Sequence, residues 1–242
     1  MVGFVFPAAA EAGDVDLVRR AIELGCDVNE HGQSRDRPAI YLAARKKHVD
    51  VVELLAGEDG INVGQALLAA AFCGLASVAK GLIDRGADVE HQEEEDNDEF
   101  GNPLTAAIQG GHVATMCLLL DAGAAEARVD GGTLFCACCS LKVEIVQVLL
   151  EQYKADVNAT DWGTTALLAV CQGGRNASEG SGDSKRKAEI ARLLLEHGAN
   201  RDVRITTSSF GRSTSSTVLD IATRRGFTLL ADVLRDRTIG RR

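Results

Sequence analysis

Large aromatic side chains and prolines are scarce in this chain of 242 residues. One Trp, two Tyr and seven Phe make up 4% of the sequence, and it holds three prolines. Hydrophobic residues nevertheless reach 45%, so Ala and Leu must do most of the packing, which suits closely apposed helices. No apolar stretch approaches the ~20 residues that cross a bilayer, which argues against a membrane-spanning segment.

Common signatures of catalytic sites are also missing. The sequence contains no Gly-x-Ser-x-Gly elbow, no phosphate-binding loop and no His-Glu-x-x-His motif. The five histidines are scattered along the chain. We therefore predict that the protein is not an enzyme and binds no cofactor.

Cysteine usage bears on the compartment. Seven cysteines are an odd number, and most lie at apolar positions of helical patterns, which predicts reduced thiols and a cytoplasmic or nuclear location. Cys136, Cys138 and Cys139 form a cluster that has three interpretations: core packing, redox-sensitive thiols or a metal site. Because Cys readily replaces Ala in a core of small residues, we favour packing and predict no metal.

The net charge of −9 is unevenly distributed. Residues 185–242 hold 13 Lys and Arg against 6 Asp and Glu, a net +7, while residues 1–184 hold 13 against 29, a net −16. The acidic run 93–99 is a solvated tip, a docking site for a basic partner or a weak calcium site, in that order of preference. The basic end has no interleaved aromatic residues, so we predict that it binds an acidic protein segment and no nucleic acid.

A pattern of two short helices recurs along the chain. In the clearest copy, apolar residues at helical spacing run from Asn102 to a glycine pair, and again from Val113 to Gly123. Helices this short need neighbours that cover their apolar stripes. The turns between the paired helices fall at Gly13, Lys47, Gly74, Gly111, Leu141, Gly174 and Gly226. Their spacing centres on 33 residues.

A period near 33 with two helices per repeat resembles the ankyrin-repeat family. The resemblance runs from about Phe6 to Leu234 and implies an all-α fold, an ankyrin-repeat solenoid of stacked helix-turn-helix units with projecting fingers. It predicts one domain, 1–242, with repeats near 4–31, 37–63, 64–91, 101–126, 131–159, 161–202 and 216–236. Flexible insertions are predicted at 91–100, 175–186 and 204–216.

The resemblance also implies a function. Ankyrin repeats usually hold a partner protein in a groove formed by the fingers and the short helices, and the two residues before each turn face that groove. The partner-binding residues at these positions are therefore predicted to be Arg45, Lys46, Phe72, Gln109, Gln172, Arg224 and Arg225. Trp162, the only Trp, lies in the finger before the sixth repeat and is added as a candidate anchor. We expect a monomeric, non-catalytic interaction scaffold whose partner is an unidentified protein. The alternative is an enzyme or a small-molecule or redox-sensing protein that uses the Cys136–Cys139 cluster.

Overall fold

The computed structural model describes residues 5–32, 37–92, 101–124, 131–161, 163–172, 181–209 and 212–240. The chain divides into two compact units, Met1–Glu126 and Ala127–Arg242, here called the N-terminal and the C-terminal unit. Each is described by itself. The expectation that the whole chain is one domain stays a prediction.

Paired helices make up both units. In the N-terminal unit they are α1 (Val5–Ala12), α2 (Val15–Glu23), α3 (Ala39–Arg45), α4 (Val49–Ala56), α5 (Val63–Cys73), α6 (Ala76–Asp84), α7 (Pro103–Gly110) and α8 (Val113–Asp121). In the C-terminal unit they are α9 (Gly131–Cys139), α10 (Val143–Glu151), α11 (Ala166–Gln172), α12 (Ser181–Glu196), α13 (Val218–Arg224) and α14 (Thr228–Arg235). The odd-numbered helices are called the short helices, and each begins a repeat.

In the described part of the chain, three antiparallel hairpins lie between repeats. They are β1–β2 (His31–Gly32 and Arg37–Pro38), β3–β4 (Thr160–Asp161 and Thr164–Thr165) and β5–β6 (Arg204–Ser209 and Arg212–Thr217). Each precedes a short helix, as expected for a finger. Because the described strands occur only in these fingers, the prediction of an all-α fold of paired helices is confirmed.

Repeats stack through like helices. In the N-terminal unit α1, α3, α5 and α7 pack in chain order, and α2, α4, α6 and α8 do the same beside them. In the C-terminal unit α9, α11 and α13 form one row and α10, α12 and α14 the other. Alanines such as Ala44 and Ala107 are fully buried on the short helices, which allows close approach, while Leu119 fills the space on a second helix.

Polar bonds also join neighbouring repeats beside the fingers. The side-chain NH₂ group of Asn29 donates to the Gly60 carbonyl at 2.8 Å, and its side-chain oxygen accepts from the backbone N–H of Asn62 at 2.8 Å. Asn158 repeats this arrangement with Gly198 and Asn200 in the C-terminal unit. Each asparagine thus satisfies backbone groups just past the end of the next repeat's second helix.

Two predicted insertions are folded where they are described. The sequence predicts that the insertion 175–186 is flexible, but α12 begins at Ser181. The Asp183 carboxylate in its first turn interacts favourably with the helix dipole and pairs with Arg186 at 3.1 Å, which stabilises the start of the helix. The insertion 204–216 was also expected to be flexible, and it forms the β5–β6 hairpin, since its Thr residues suit extended strands. Residues 93–100 and 175–180 lie outside the described part of the chain.

Left-handed backbone occurs at the turns between paired helices. Gly13, Gly74, Gly111 and Gly226 have φ between +75° and +88°. Lys47 and Leu141 occupy the same turn position with φ of +63° and +53°, although their Cβ atoms disfavour this conformation. Lys47 is exposed, whereas Leu141 is buried and adds an apolar side chain to the core.

We expect Lys47→Gly to stabilise the protein by about 0.5–1 kcal/mol. Relief of the left-handed strain is worth roughly 1–2 kcal/mol, and the extra entropy of an unfolded glycine offsets about half of it. The matched change Leu141→Gly should destabilise, because it removes a buried leucine worth about 1.5–3 kcal/mol. Urea unfolding of both variants checks this, and a loss of stability in Lys47→Gly would contradict it.

Candidate functional site

The ends of the short helices carry a repeated contact between repeats. In at least four of the described short helices, the carbonyl of the second-last residue accepts a hydrogen bond from a side chain of the following repeat. The acceptors are the carbonyls of Glu11, Ala44, Phe72 and Cys171, and the donors are His48, Cys73, His112 and Arg225. These carbonyls lie at helix ends, where regular helical bonding stops, so the contacts join two repeats at a helix end. The Ala44 carbonyl also accepts the backbone N–H of Lys47 at 2.9 Å.

Histidine makes this contact twice in the N-terminal unit. His48 Nε2 lies 3.1 Å from the Glu11 carbonyl oxygen, and His112 Nε2 lies 3.0 Å from that of Phe72. A carbonyl can only accept, so Nε2 carries the proton in both rings. The structural role predicted for these histidines agrees with this geometry.

Glycine makes room for these rings. A Cβ atom on Gly13 would lie 2.5–2.7 Å from atoms of the His48 ring. A Cβ atom on Gly110 would lie 2.7 Å from the Phe72 carbonyl oxygen and 2.7 Å from His112 Nε2. Only a residue without a side chain therefore allows the ring to reach the carbonyl.

Other donors replace histidine elsewhere. Arg225 Nη1 donates to the Cys171 carbonyl at 2.9 Å in the C-terminal unit, and the Cys73 thiol makes a weak contact of 3.9 Å with the Ala44 carbonyl. Sequence reasoning missed this role for both residues, because it depends on which carbonyl lies opposite and not on the residue type.

The predicted groove residues of the N-terminal unit lie at the ends of three neighbouring short helices. Arg45 ends α3, and Phe72 and Gln109 are the second-last residues of α5 and α7. All three are partly exposed. Lys46 is exposed, and its ammonium group lies 3.7 Å from the Glu11 carboxylate, a surface ion pair of little energetic weight. A cation, an aromatic ring and an amide thus follow one another along this edge.

Arg224 and Arg225 are the predicted groove residues of the C-terminal unit whose side chains the structure describes. Both are exposed, and each has a bond within the protein: Arg224 Nη2 donates to Ser216 Oγ at 3.0 Å, and Arg225 caps α11. Gln172 is the last residue of α11, and its side chain is outside the described part of the structure. Trp162 is also outside the described residues.

Lys187 is a buried cation that sequence reasoning missed. It is 6% exposed, and its Nζ lies 3.8 Å from the centroid of the Phe227 ring. The sequence signal was obscured, because the Gly- and Ser-rich residues just before Lys187 indicated a loop and not a helix facing Phe227.

The thiols differ in exposure. Burial raises the pKa of the Cys138 thiol well above its usual value, with its neighbours Cys139 and Cys136 adding to the effect. Burial also raises the pKa of Cys171 to about 12, although Lys187 and Arg225 oppose the rise. Cys136 and Cys139 are partly exposed and lie in the last turn of α9, where the helix dipole disfavours a thiolate.

The described residues lack two kinds of feature. They contain no group of three or more His, Cys, Asp or Glu side chains arranged to hold a metal ion. Among the described helices, none combines the length and the apolar character needed to cross a membrane.

Comparison with known proteins gives consistent similarities. A family model described as ankyrin repeats (3 copies) matches residues 6–93 and 67–161. The chain is 27% identical over 230 residues to the putative ankyrin repeat protein YahD of Escherichia coli, covering 93% of this chain and 92% of that protein. It is 28% identical over 174 residues to the ankyrin repeat and KH domain-containing protein mask-1 of Caenorhabditis elegans, covering 69% of this chain and 6% of that protein.

The fold comparison agrees with these matches. The human ASB11 ankyrin repeat domain superposes on the chain with a TM-score of 0.63 at 25% identity, covering 95% of each chain. Similarity therefore extends over nearly the whole chain, both in sequence and in fold.

The buried thiols should resist alkylation in the folded protein. We expect iodoacetamide at pH 8 to leave Cys138 and Cys171 unmodified under conditions that label a small thiol fully, because burial keeps both groups protonated. Peptide mass spectrometry reads each site, and the urea-unfolded protein, labelled at all seven cysteines, is the control. Labelling of Cys138 at the rate of the small thiol would contradict its assignment to the core.

Proposed function

This chain belongs to the ankyrin-repeat family, and we propose that it is a non-catalytic scaffold that binds a segment of a partner protein along the exposed ends of its short helices. Ankyrin repeats are generally protein–protein interaction modules. The observation that carries the proposal is the row of Arg45, Phe72 and Gln109 in the N-terminal unit. A guanidinium group, an aromatic ring and an amide lie next to one another there, at one edge of three packed helices.

The chemistry of this edge indicates the kind of partner. A carboxylate can pair with Arg45, an apolar side chain can contact Phe72, and the Gln109 amide can bond to a peptide group. Aromatic rings and arginines are the residues that most often carry binding energy at interfaces. A segment with an acidic residue followed by an apolar one fits this order.

The C-terminal unit offers a second basic surface. Arg224 and Arg225 are exposed next to the last finger, within a stretch of the sequence that is basic as a whole. Arg225 caps α11 with one N–H group, whereas Arg224 bonds to the Ser216 hydroxyl of the finger, so Arg224 is the better candidate for binding because its loss leaves the contact between repeats in place. Electrostatic steering of an acidic segment toward this surface would raise the association rate at low salt.

A redox or catalytic role for Cys136–Cys139 is less favoured. Cys138 is fully buried, and burial raises the pKa of its thiol, whereas a reactive cysteine needs a stabilised thiolate. The partly exposed pair beside it lies at the wrong end of its helix for thiolate stabilisation.

Charge reversal tests the scaffold. We expect the double variant Arg45→Glu, Arg224→Glu to lose at least tenfold in affinity for a partner captured from an extract of cells that express the protein, about 1.4 kcal/mol. The matched control is Arg20→Glu, Arg192→Glu, which makes the same charge change on two second helices. Mass spectrometry identifies the partner and calorimetry gives the affinities.

Circular dichroism must show that both double variants are folded. Equal affinities of the wild type and the Arg45→Glu, Arg224→Glu variant would contradict the assignment of these surfaces.

A further inference from the structure

The last finger of the C-terminal unit is longer than the one before it. The β5–β6 hairpin pairs six residues on each strand, from Arg204 opposite Thr217 to Ser209 opposite Arg212. The β3–β4 hairpin pairs only two residues on each strand. Both hairpins end immediately before a short helix, so four residue pairs of β5–β6 continue beyond the length of the preceding finger. At ~3.3 Å per residue, this extension measures roughly 13 Å.

This extension has the properties of an incomplete sheet. Among the described strands, β5 and β6 pair only with each other, and a two-stranded hairpin alone is only marginally stable in water. Natural edge strands are usually protected by proline, inward charges or bulges. The two strands contain no proline, and their only charged residues are the arginines with which each strand begins.

One hydrogen bond fixes the direction of the backbone groups. The Thr217 N–H donates to the Asp220 carboxylate at 2.8 Å, so it points away from β5. In antiparallel strands, opposite residues alternate between bonding to each other and pointing outward. The backbone N–H and C=O groups of Thr217 and Arg204 therefore point away from the partner strand, and those of every second pair toward the tip do the same. The backbone N–H and C=O groups that point outward on β5 belong to Arg204, Thr206 and Ser208. On β6 they belong to Ser213, Ser215 and Thr217.

The two edges differ at their base. At the base of β6, the Asp220 carboxylate already accepts the outward N–H of Thr217 and also its hydroxyl at 2.8 Å. Hydrogen bonds from Thr217, helped by the charges of Arg224 and Arg204, lower the pKa of Asp220, so it is ionised at neutral pH. The base of β5 instead carries the exposed Arg204. The N–H that a third strand would meet at the base of β6 is therefore already bonded, whereas the base of β5 carries a cation that attracts a carboxylate.

We propose that an extended acidic segment of the partner pairs with the outer edge of β5 and adds a third strand to this finger. This rests on the proposed function and names the form in which the partner is bound. Backbone bonds to Arg204, Thr206 and Ser208 supply affinity with little dependence on sequence, and arginine at the base selects for acidic residues.

The probe for this edge is a blocked eight-residue peptide that alternates Glu and Val. Because backbone bonds carry the affinity, it should bind without being the natural partner sequence. Hydrogen exchange by NMR at saturating peptide should slow at least tenfold for the Thr206 and Ser208 amides. The Thr207 and Thr214 amides point inward and should change little, which reports that the hairpin is intact. A peptide that alternates Gln and Val should bind at least threefold more weakly.

Proline provides the matched variants. Thr206→Pro removes an outward N–H and should weaken peptide binding at least tenfold while leaving the inward bonds of the hairpin in place. Ser215→Pro makes the same change on the outer edge of β6 and should bind the peptide like the wild type. Thr206→Val retains the N–H and should also bind normally. The exchange of Thr207 and Thr214 shows whether each variant keeps its hairpin.

Three results would overturn the proposal. The first is unchanged hydrogen exchange of the Thr206 and Ser208 amides at saturating peptide, and the second is peptide binding by Thr206→Pro, with its hairpin intact, that equals that of the wild type. The third is exchange that slows with protein concentration in the absence of peptide, which would mean that two copies of the chain pair with each other. Equal binding of the Gln peptide would overturn the acidic class of the segment. If the captured partner is lost by Arg45→Glu, Arg224→Glu but retained by Thr206→Pro, the scaffold function stands and the strand pairing is wrong. If neither variant loses the partner, both are wrong.

Discussion

The stacking of repeats depends on a close approach between a side chain of one repeat and the last carbonyls of the short helix before it. In the N-terminal unit His112 reaches the Phe72 carbonyl, and His48 reaches that of Glu11. Glycines at and next to the turns keep the space open. The bond satisfies a carbonyl that its own helix leaves unpaired, and it holds two helices in register that are too short to be stable alone.

The same carbonyl position accepts from three kinds of donor: imidazole, guanidinium and thiol. This explains how repeats with degenerate sequences still stack, since the backbone acceptor is constant and only a nearby donor is required. It also bears on the predicted groove. The resemblance predicts that the positions of Arg225 and Cys73 face a partner, yet both residues make contacts that join repeats. A substitution at such a position changes the stability of the stack as well as the surface, so binding data need a folded control.

The sequence was sufficient for the helix pairs because their spacing, alanine pairs and turn glycines are local signals. Even the exceptional turns at Lys47 and Leu141 could be placed, since the neighbouring repeats fix the register. Features that depend on a distant partner could not be predicted. Lys187 packs on Phe227, forty residues away, and Arg225 bonds to a carbonyl of the preceding repeat. The β5–β6 hairpin was missed because a Ser- and Thr-rich stretch favours a loop by composition, whereas pairing with a complementary stretch makes it a strand.

The account is tested most directly by adding one methyl group at two helical glycines and measuring the free energy of unfolding. Gly81→Ala places the methyl where no atom lies within 4 Å, and should stabilise α6 by about 0.5–1 kcal/mol, as alanine usually does in a helix. Gly110→Ala places it 2.7 Å from the Phe72 carbonyl oxygen, so it should destabilise the protein by about 1–3 kcal/mol through loss of the His112 bond. Equal stabilisation by both variants would contradict the claim that this close approach holds the repeats together.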